Sequence, residues 1–174
     1  MKTLFLYVFV ACALLTASCK KTEKIYDATY IHDFEIQAGT AFYFQDDWVQ
    51  ITDRDFWLAK YGLKASDVTS VQVRFVRLTI FYTNDRFDWV DKGYLKIAKS
   101  DTNPAPNFFE IGFNLQVPQN QGSTLDLAPD LTELKDYFLA NECKLQLKLL
   151  NKLNYVTAGA LQVRLSLGLG IIVG

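Results

Sequence analysis

Only a few side chains in this 174-residue chain could take part in catalysis or metal binding. His32 is the single histidine, and the three cysteines are Cys12, Cys19 and Cys143. An activated nucleophile needs a base held beside a serine or cysteine, and no serine or cysteine motif accompanies His32. A zinc site needs several histidine or cysteine ligands at close spacing, which this chain lacks. The sequence therefore predicts neither nucleophilic catalysis nor a zinc site, and it indicates no cofactor.

Acidic residues form three short clusters in this sequence: Asp46 with Asp47, Asp53 with Asp55, and Asp85 with Asp88 and Asp91. Carboxylates on loops can bind calcium, and paired carboxylates can hydrolyse glycosidic bonds. The spacing matches no known calcium loop, and Arg54, Arg86 and Lys92 lie among the acids. We interpret the clusters as solvated surface charge, and we predict that the protein holds no metal and is not an enzyme.

Aromatic side chains are the feature of the sequence best suited to binding. Flat rings beside acids and amides suit sugar rings, but strands also attract aromatic residues for core packing. Core packing is the favoured interpretation. The alternative is an exposed platform that binds a ligand such as a glycan, formed by Tyr43, Trp48, Trp57 and Trp89.

The N-terminus has the pattern of an export signal. Lys2 precedes an uninterrupted apolar run over residues 4–15, and small residues follow it up to Cys19. The run is shorter than the roughly 20 residues that a helix needs to cross a bilayer. A buried helix of the domain is the alternative, but lysines follow directly at Lys20 and Lys21. The pattern therefore favours a secretory signal peptide over residues 1–18.

The segment Leu15-Thr16-Ala17-Ser18-Cys19 resembles the lipobox of bacterial lipoproteins, although Thr16 stands where an aliphatic residue is usual. The resemblance implies cleavage before Cys19, diacylglycerol on its thiol and often an acyl group on the new amino terminus. Two or more acyl chains make a durable membrane anchor. Cys143 would then have no partner, and we expect it to be buried as a small hydrophobe. The alternative is a disulfide between Cys19 and Cys143 in an unlipidated exported protein.

The residues after Cys19 bear on where such a lipoprotein would reside. Lys20 stands where an aspartate would retain an enterobacterial lipoprotein in the inner membrane, so the resemblance implies the outer membrane. Only one acid accompanies the three lysines of residues 20–24, which slightly favours the periplasmic face over the cell surface. The 18 basic and 19 acidic residues nearly balance, so the chain has no nucleic-acid footprint.

The elements that must position these side chains are mostly strands. Apolar residues alternate with polar ones in several runs, most cleanly over residues 109–117, 143–149 and 161–169. Within residues 68–82, Val71, Val73 and Phe75 share one face, and the alternate residues from Val76 to Tyr82 have the other parity, a change that predicts a β-bulge. Two short helices are predicted: residues 54–61 with Gly62 as the stop, and a helix to about Leu139 after the capping-box-like Asp130-Leu131-Thr132-Glu133.

Three segments in the middle of the chain resemble a group of uncharacterised Bacteroidota lipoproteins. The segments are Asp67-Val68-Thr69-Ser70-Val71-Gln72-Val73, Leu78-Thr79-Ile80 and Phe87-Asp88-Trp89-Val90-Asp91. The resemblance implies an immunoglobulin-like sandwich and an envelope location, but no activity. We therefore predict a signal peptide over residues 1–18, a lipidated tether over residues 19–28 and one domain over residues 29–174. The domain is predicted to be all-β, an antiparallel immunoglobulin-like β-sandwich with two short helices.

The predicted function is non-enzymatic binding or scaffolding by a lipid-anchored envelope protein, with the membrane as partner through Cys19. One specific alternative is a glycan-binding accessory lipoprotein, which would expose a flat row of tryptophans. The other is a subunit of an envelope assembly, which would expose an apolar patch or an open strand edge. The apolar run over residues 167–174 fits either a buried last strand or such an edge, and its alternation favours the buried strand.

Overall fold

The computed structural model describes residues 23–82, 84–100, 106–153 and 155–174. The predicted signal peptide and Cys19 lie outside these residues. Within them, the strands are β1 (Lys24–Ile36), β2 (Tyr43–Ile51), β3 (Val68–Phe81), β4 (Val90–Lys99), β5 (Phe109–Asn114), β6 (Thr124–Pro129), β7 (Glu142–Asn151) and β8 (Leu161–Val173). The helices are α1 (Arg54–Tyr61) and α2 (Lys135–Leu139), with single 3₁₀ turns at Ala65–Asp67 and Phe87–Trp89. No helix in the described ranges is long and apolar enough to span a membrane.

The strands pair in a nested pattern. β1 pairs with β8, β2 with β7, β3 with β6 and β4 with β5, and every pair is antiparallel. This is the pattern of one long hairpin folded over on itself. Additional pairing of β3 with β8 and of β4 with β7 produces the sheets β1-β8-β3-β6 and β5-β4-β7-β2, and a short β5–β6 contact joins them along one edge. An eight-stranded sandwich with this strand order is a jelly roll.

The antiparallel β-sandwich with two short helices is confirmed, but the immunoglobulin-like strand order is not. In an immunoglobulin domain the consecutive strands A and B lie in one sheet. Here β1 and β2 lie in different sheets, and so do β3 and β4. The sequence analysis treated β6 as part of a connection, because its alternation is confined to the four residues Thr124-Leu125-Asp126-Leu127.

The bulge predicted in the third strand is confirmed. The register of β3 against β8 shifts between Val73 and Phe75. Before the shift, Val71 and Val73 face the core. After the shift, Val76 and every second residue that follows it in β3 face the core. As a result Arg74 and Phe75 are both exposed on the outer face, so the prediction that Phe75 shares the face of Val71 and Val73 is wrong.

The first strand begins earlier than predicted, at Lys24 rather than near Thr29. Residues 24–28, assigned to the tether by the sequence analysis, pair with residues 169–173 of β8. Ala28 is completely buried. This correction has a simple cause, since the backbone of an edge strand continues as long as its neighbour offers hydrogen bonds, whatever the polarity of its side chains.

The sandwich has two ends, which we call the base and the tip. The base comprises the start of β1, the end of β8, α1 and α2. The tip comprises the connections 37–42, 82–89, 115–123 and 152–160. Backbone hydrogen bonds join neighbouring tip connections, from Gly39 to Thr157 (2.9 Å) and from Phe87 to Gly122 (3.0 Å).

At the open edge of the sandwich, β1 and β2 meet through their side chains. No backbone pairing joins these two strands in the part of the chain that the structure describes. The rings of Phe44, Phe34, His32 and Trp48 stack in a row with successive centroid distances of 5.3, 5.7 and 4.1 Å. Asp46 adds a polar contact to His32 across the same edge. We call these four rings the aromatic seam.

Candidate functional site

His32 is part of the aromatic seam. Its Nε2 lies 2.8 Å from Oδ2 of Asp46, and its ring is stacked between Phe34 and Trp48. Cys143 lies four positions along β7 from Leu147, the register partner of Asp46, or about 13 Å away at the usual rise of a strand. The thiol is therefore out of reach of the imidazole, and the geometry assigns the histidine to joining two strands.

The acidic clusters are divided among separate partners. Asp46 pairs with His32, Asp55 with Arg54 at 3.2 Å, and Asp88 with Arg86 at 3.5 Å. Among the described residues, no group of three or more histidine, cysteine or acidic side chains could hold a metal ion. These contacts support the interpretation of the clusters as surface charge.

The four aromatic residues predicted as a ligand platform do not lie together. Tyr43 is 53% exposed at the tip end of β2, whereas Trp57 lies on α1 at the base, separated by the length of a nine-residue strand, about 25 Å. Trp48 is half-buried in the aromatic seam. Trp89 is only 3% exposed and packs beside Phe87. This burial removes Trp89 from the platform alternative and agrees with core packing, the favoured interpretation, because the 3₁₀ turn that carries it directs its ring into the core.

The tip instead exposes a different set of apolar side chains. The three most exposed large apolar residues in the described part of the chain are Leu153 (92%), Tyr82 (90%) and Phe42 (85%), and all three belong to the tip. Leu115, Tyr155 and Val156 are exposed there as well. We call these six residues the tip patch. Exposed apolar side chains collected at one end of a domain can form a site that contacts another macromolecule.

Two residues of the tip patch have strained backbones. Phe42 has φ of 67° and Tyr82 has φ of 69°, in the left-handed region that bulky residues rarely adopt. The end of β7 holds Phe42 in place, because the backbone amide of Asn151 donates to its carbonyl oxygen at 2.8 Å. Backbone strain held in place in this way is concentrated at functional surfaces. The sequence carried no signal for it, since nothing local indicates a positive φ at a tyrosine or phenylalanine.

A groove of about 550 Å³ lies on the outer surface between β3, β6 and β5. Phe75 and Phe113 line it with Asn114, and Arg77 donates two hydrogen bonds to Asp126 at 2.7 and 3.0 Å. The β3 bulge turns Phe75 outward, where its ring lies over Gly168. Exposed rings beside planar polar groups suit a sugar. The sequence analysis did not select Phe75, although the parity break beside it was visible.

At the base, α1 is fixed to the start of β1. The hydroxyl of Tyr61 donates to the carbonyl oxygen of Asp27 at 2.6 Å, and its ring lies 4.8 Å from that of Tyr26. Nζ of Lys60 lies 4.6 Å from the centroid of the Trp57 ring. Phe56 is 60% exposed, and its ring lies 5.1 Å from that of Trp57. Gly62, at φ of 66°, ends the helix as predicted.

Comparisons with known proteins give structural similarities only. No protein-family model matches the chain, and no curated protein sequence matches it. The decameric BFDV capsid protein has a TM-score of 0.41 and 8% identity, over 88% of this chain and all of that chain. Turnip yellow mosaic virus gives 0.31 and 10%, over 85% and 94% of the two chains. The infectious bursal disease virus VP2 subviral particle gives 0.36 and 12%, over 87% and 33%. These scores are low, so the jelly-roll assignment depends on the strand order alone.

Proposed function

We propose that this protein is a non-enzymatic, lipid-anchored envelope protein whose tip patch binds a protein partner, as a subunit of an envelope assembly. The lipobox-like segment ending at Cys19 supports the anchor. The observation that carries the proposal is that the anchored end and the exposed apolar side chains lie at opposite ends of the domain. The chain enters β1 at the base, only five residues after Cys19, while the most exposed apolar side chains lie at the opposite end.

The composition of the tip patch favours a protein over a glycan. Leu115, Leu153 and Val156 offer aliphatic groups, which gain from burial against other apolar side chains and make no hydrogen bonds to sugar hydroxyls. Phe42 and Tyr82 add aromatic side chains of the kind that dominate protein interfaces. An exposed apolar patch of this kind is the feature expected of an assembly subunit.

The anchor is tested by replacing the lipidated residue. Cys19→Ser is expected to remove labelling by a fatty-acid probe and to move the protein out of the membrane fraction. Cys143→Ser is the matched control, because Cys143 is buried in the sandwich, and it should leave labelling unchanged. A Cys19→Ser protein that still takes up the probe would exclude lipidation at this residue.

The partner surface is tested with a photo-crosslinking amino acid at Leu153 in living cells. We expect a discrete protein adduct from this position and none from Thr29, an exposed position on the outer face of β1. The adduct should weaken when Phe42→Ser and Tyr82→Ser are added. Equal crosslinking from both positions, or no adduct from Leu153, would contradict a partner at the tip.

Glycan binding is a second candidate, supported by the groove that contains Phe75 and Phe113. If it is correct, affinity electrophoresis in gels containing envelope or dietary polysaccharides should retard the protein. Phe75→Ala should abolish the retardation, whereas Phe109→Ala, at a residue 49% exposed outside the groove, should not. Unchanged mobility in every polysaccharide tested would remove this candidate.

The proposed location is the outer membrane, with the domain on the periplasmic face. Protease added to intact cells should therefore leave the domain uncut until the outer membrane is permeabilised. Digestion of the domain in intact cells would place it on the cell surface instead.

A further inference from the structure

The short tether restricts how the domain can lie on a membrane. This inference depends on the proposed lipid anchor at Cys19. Only residues 19–23 separate the acyl chains from the first residue of β1. Five residues, even fully extended, reach about 18 Å. The start of β1, and with it the base, must therefore remain within about 18 Å of the lipid headgroups.

α1 contacts the start of β1, next to this attachment point. Tyr61 contacts Tyr26 and donates to the backbone of Asp27, two and three positions into β1. The start of β1 and the helix are thus parts of one surface at the base. The short tether therefore keeps α1 within reach of the bilayer.

The exposed side chains of α1 suit the boundary between headgroups and acyl chains. Phe56 is 60% exposed, and Ile51, the last residue of β2, is 53% exposed and lines the same surface pocket. Trp57 and Tyr61 lie next to them, and Nζ of Lys60 lies over both rings at 4.6 and 5.2 Å. Aromatic rings with a lysine whose stem packs on them are typical of the membrane interface.

Apolar contact, rather than net charge, is the expected source of binding. Arg54 is paired with Asp55 on the same helix, so α1 carries little excess charge toward lipid. We infer that α1 lies against the bilayer, with Phe56 and Ile51 inserted at the headgroup–acyl boundary, and that this contact orients the tip away from the membrane.

The test uses the full lipidated protein in vesicles of phosphatidylethanolamine and phosphatidylglycerol, with an environment-sensitive fluorophore on a single introduced cysteine. Phe56→Cys places the fluorophore on α1, and Phe42→Cys, at a tip phenylalanine that is more exposed than Phe56, is the matched control. Cys143 is 5% exposed, so it should remain unlabelled. Spin-labelled lipid is expected to quench the fluorophore at position 56 severalfold more than at position 42, and high salt should not reverse the effect.

Three results would overturn the inference. The first is equal, weak quenching at both positions in protein that carries lipid. The second is loss of the quenching at high salt, which would indicate attraction by the tether lysines alone. The third is failure of the cysteine at position 56 to react with the fluorophore in the soluble Cys19→Ser protein without vesicles, which would mean that other parts of the protein cover this position. Absence of lipid on Cys19 is detected separately by mass, and it would reject the anchor itself.

Discussion

Cys143 occupies the inner face of β7 and is 5% exposed, which confirms the prediction that its thiol is buried. Burial, with a smaller contribution from the charge of Glu142, raises the pKa of the Cys143 thiol from 9.0 to about 12. Burial also raises the pKa of Tyr30, whose hydroxyl donates to the backbone oxygen of Thr52. Both groups are therefore protonated in the folded protein at pH values where the unfolded chain loses its protons.

These shifts predict a loss of stability at high pH. Above pH 9.0 the unfolded thiol ionises while the folded one keeps its proton, so the native state binds more protons. The free energy of unfolding should then fall by up to about 1.4 kcal/mol per pH unit for Cys143 until its folded pKa is reached, with Tyr30 adding to the fall above its ordinary pKa. Urea unfolding at increasing alkaline pH measures this. Cys143→Ala should show a shallower decline, and an identical decline in both proteins would contradict the assignment.

The absence of a side chain at Gly168 leaves the space that the ring of Phe75 occupies. A methyl group at Gly168 would collide with the ring of Phe75, whereas at Gly170 it would meet the flexible chain of Arg74, at 3.0 Å from Cδ, and Cγ2 of Ile25 at 3.3 Å. We expect Gly168→Ala to destabilise the protein by about 1–3 kcal/mol through overpacking, and Gly170→Ala to cost less. Adding Phe75→Ala should relieve most of the penalty at Gly168. Additive losses in the double variant, measured by urea unfolding, would mean that the two residues do not interact.

Among the elements, β1 and β2 depend on the aromatic seam, because no backbone pairing joins them in the described residues. Phe34 stacks on Phe44 and His32, so Phe34→Ala removes two ring contacts at once. We expect a loss of about 2–3 kcal/mol, below the cost at a fully buried site because Phe34 is half-buried. Ile31→Ala, on the exposed face of the same strand, should cost well under that. Hydrogen exchange should accelerate in β1 and β2 before the other strands, and uniform acceleration would argue against a local role for the seam.

The second helix differs from its prediction. Glu133 does not close a capping box, and α2 begins only at Lys135. Instead, the Glu133 carboxylate accepts hydrogen bonds from the Ser70 hydroxyl and from the amide of Val71, at 2.8 Å, and so fastens the connection to β3. Burial alone would raise the pKa of Glu133, but these hydrogen bonds and those from the following amides outweigh it and lower the pKa.

Because the folded pKa of Glu133 lies below its ordinary value of 4.5, its contribution is present above that pH and is lost as the pH falls through the folded value. Glu133→Gln is expected to cost about 1 kcal/mol at neutral pH and little in acid. Thermal unfolding of both proteins at neutral and acidic pH measures this difference. A gap between them that stays constant with pH would show that the carboxylate charge is not involved.

At the scale of the whole molecule, we expect partner binding at the tip and membrane attachment at the base to be independent of each other. Tyr82 has a left-handed backbone and a 90% exposed ring, so Tyr82→Gly should stabilise the domain by about 1 kcal/mol by relieving strain. The same change should weaken the tip adduct and leave the lipid on Cys19 unaffected. Thermal unfolding and crosslinking from Leu153 provide the two measurements. A destabilised Tyr82→Gly protein would show that the ring packs on the domain rather than facing a partner.

The sequence by itself determined the local features of this protein. Side-chain alternation located most strands, the parity break placed the β3 bulge, and Gly62 ended α1, because each depends only on which neighbours along the chain share a face. The burial of Cys143 followed from the same alternation. The lipobox resemblance at Cys19 likewise comes from the sequence, and lipid attachment there remains a prediction.

The tertiary structure alone decided how the strands pair. Nested pairing of β1 with β8 and of β2 with β7 joins residues more than ninety positions apart, and alternation is the same whichever partner a strand meets. The resemblance of the middle segments implied an immunoglobulin-like order, and the structure has a jelly-roll order instead. Only the fold could bury Trp89, strain Phe42 and Tyr82 at one end, and hold α1 against the start of β1 at the other. Strand pairing determines which side chains face outward together. Strand pairing cannot be predicted from any short segment of the chain, because it depends on residues that are far apart in sequence.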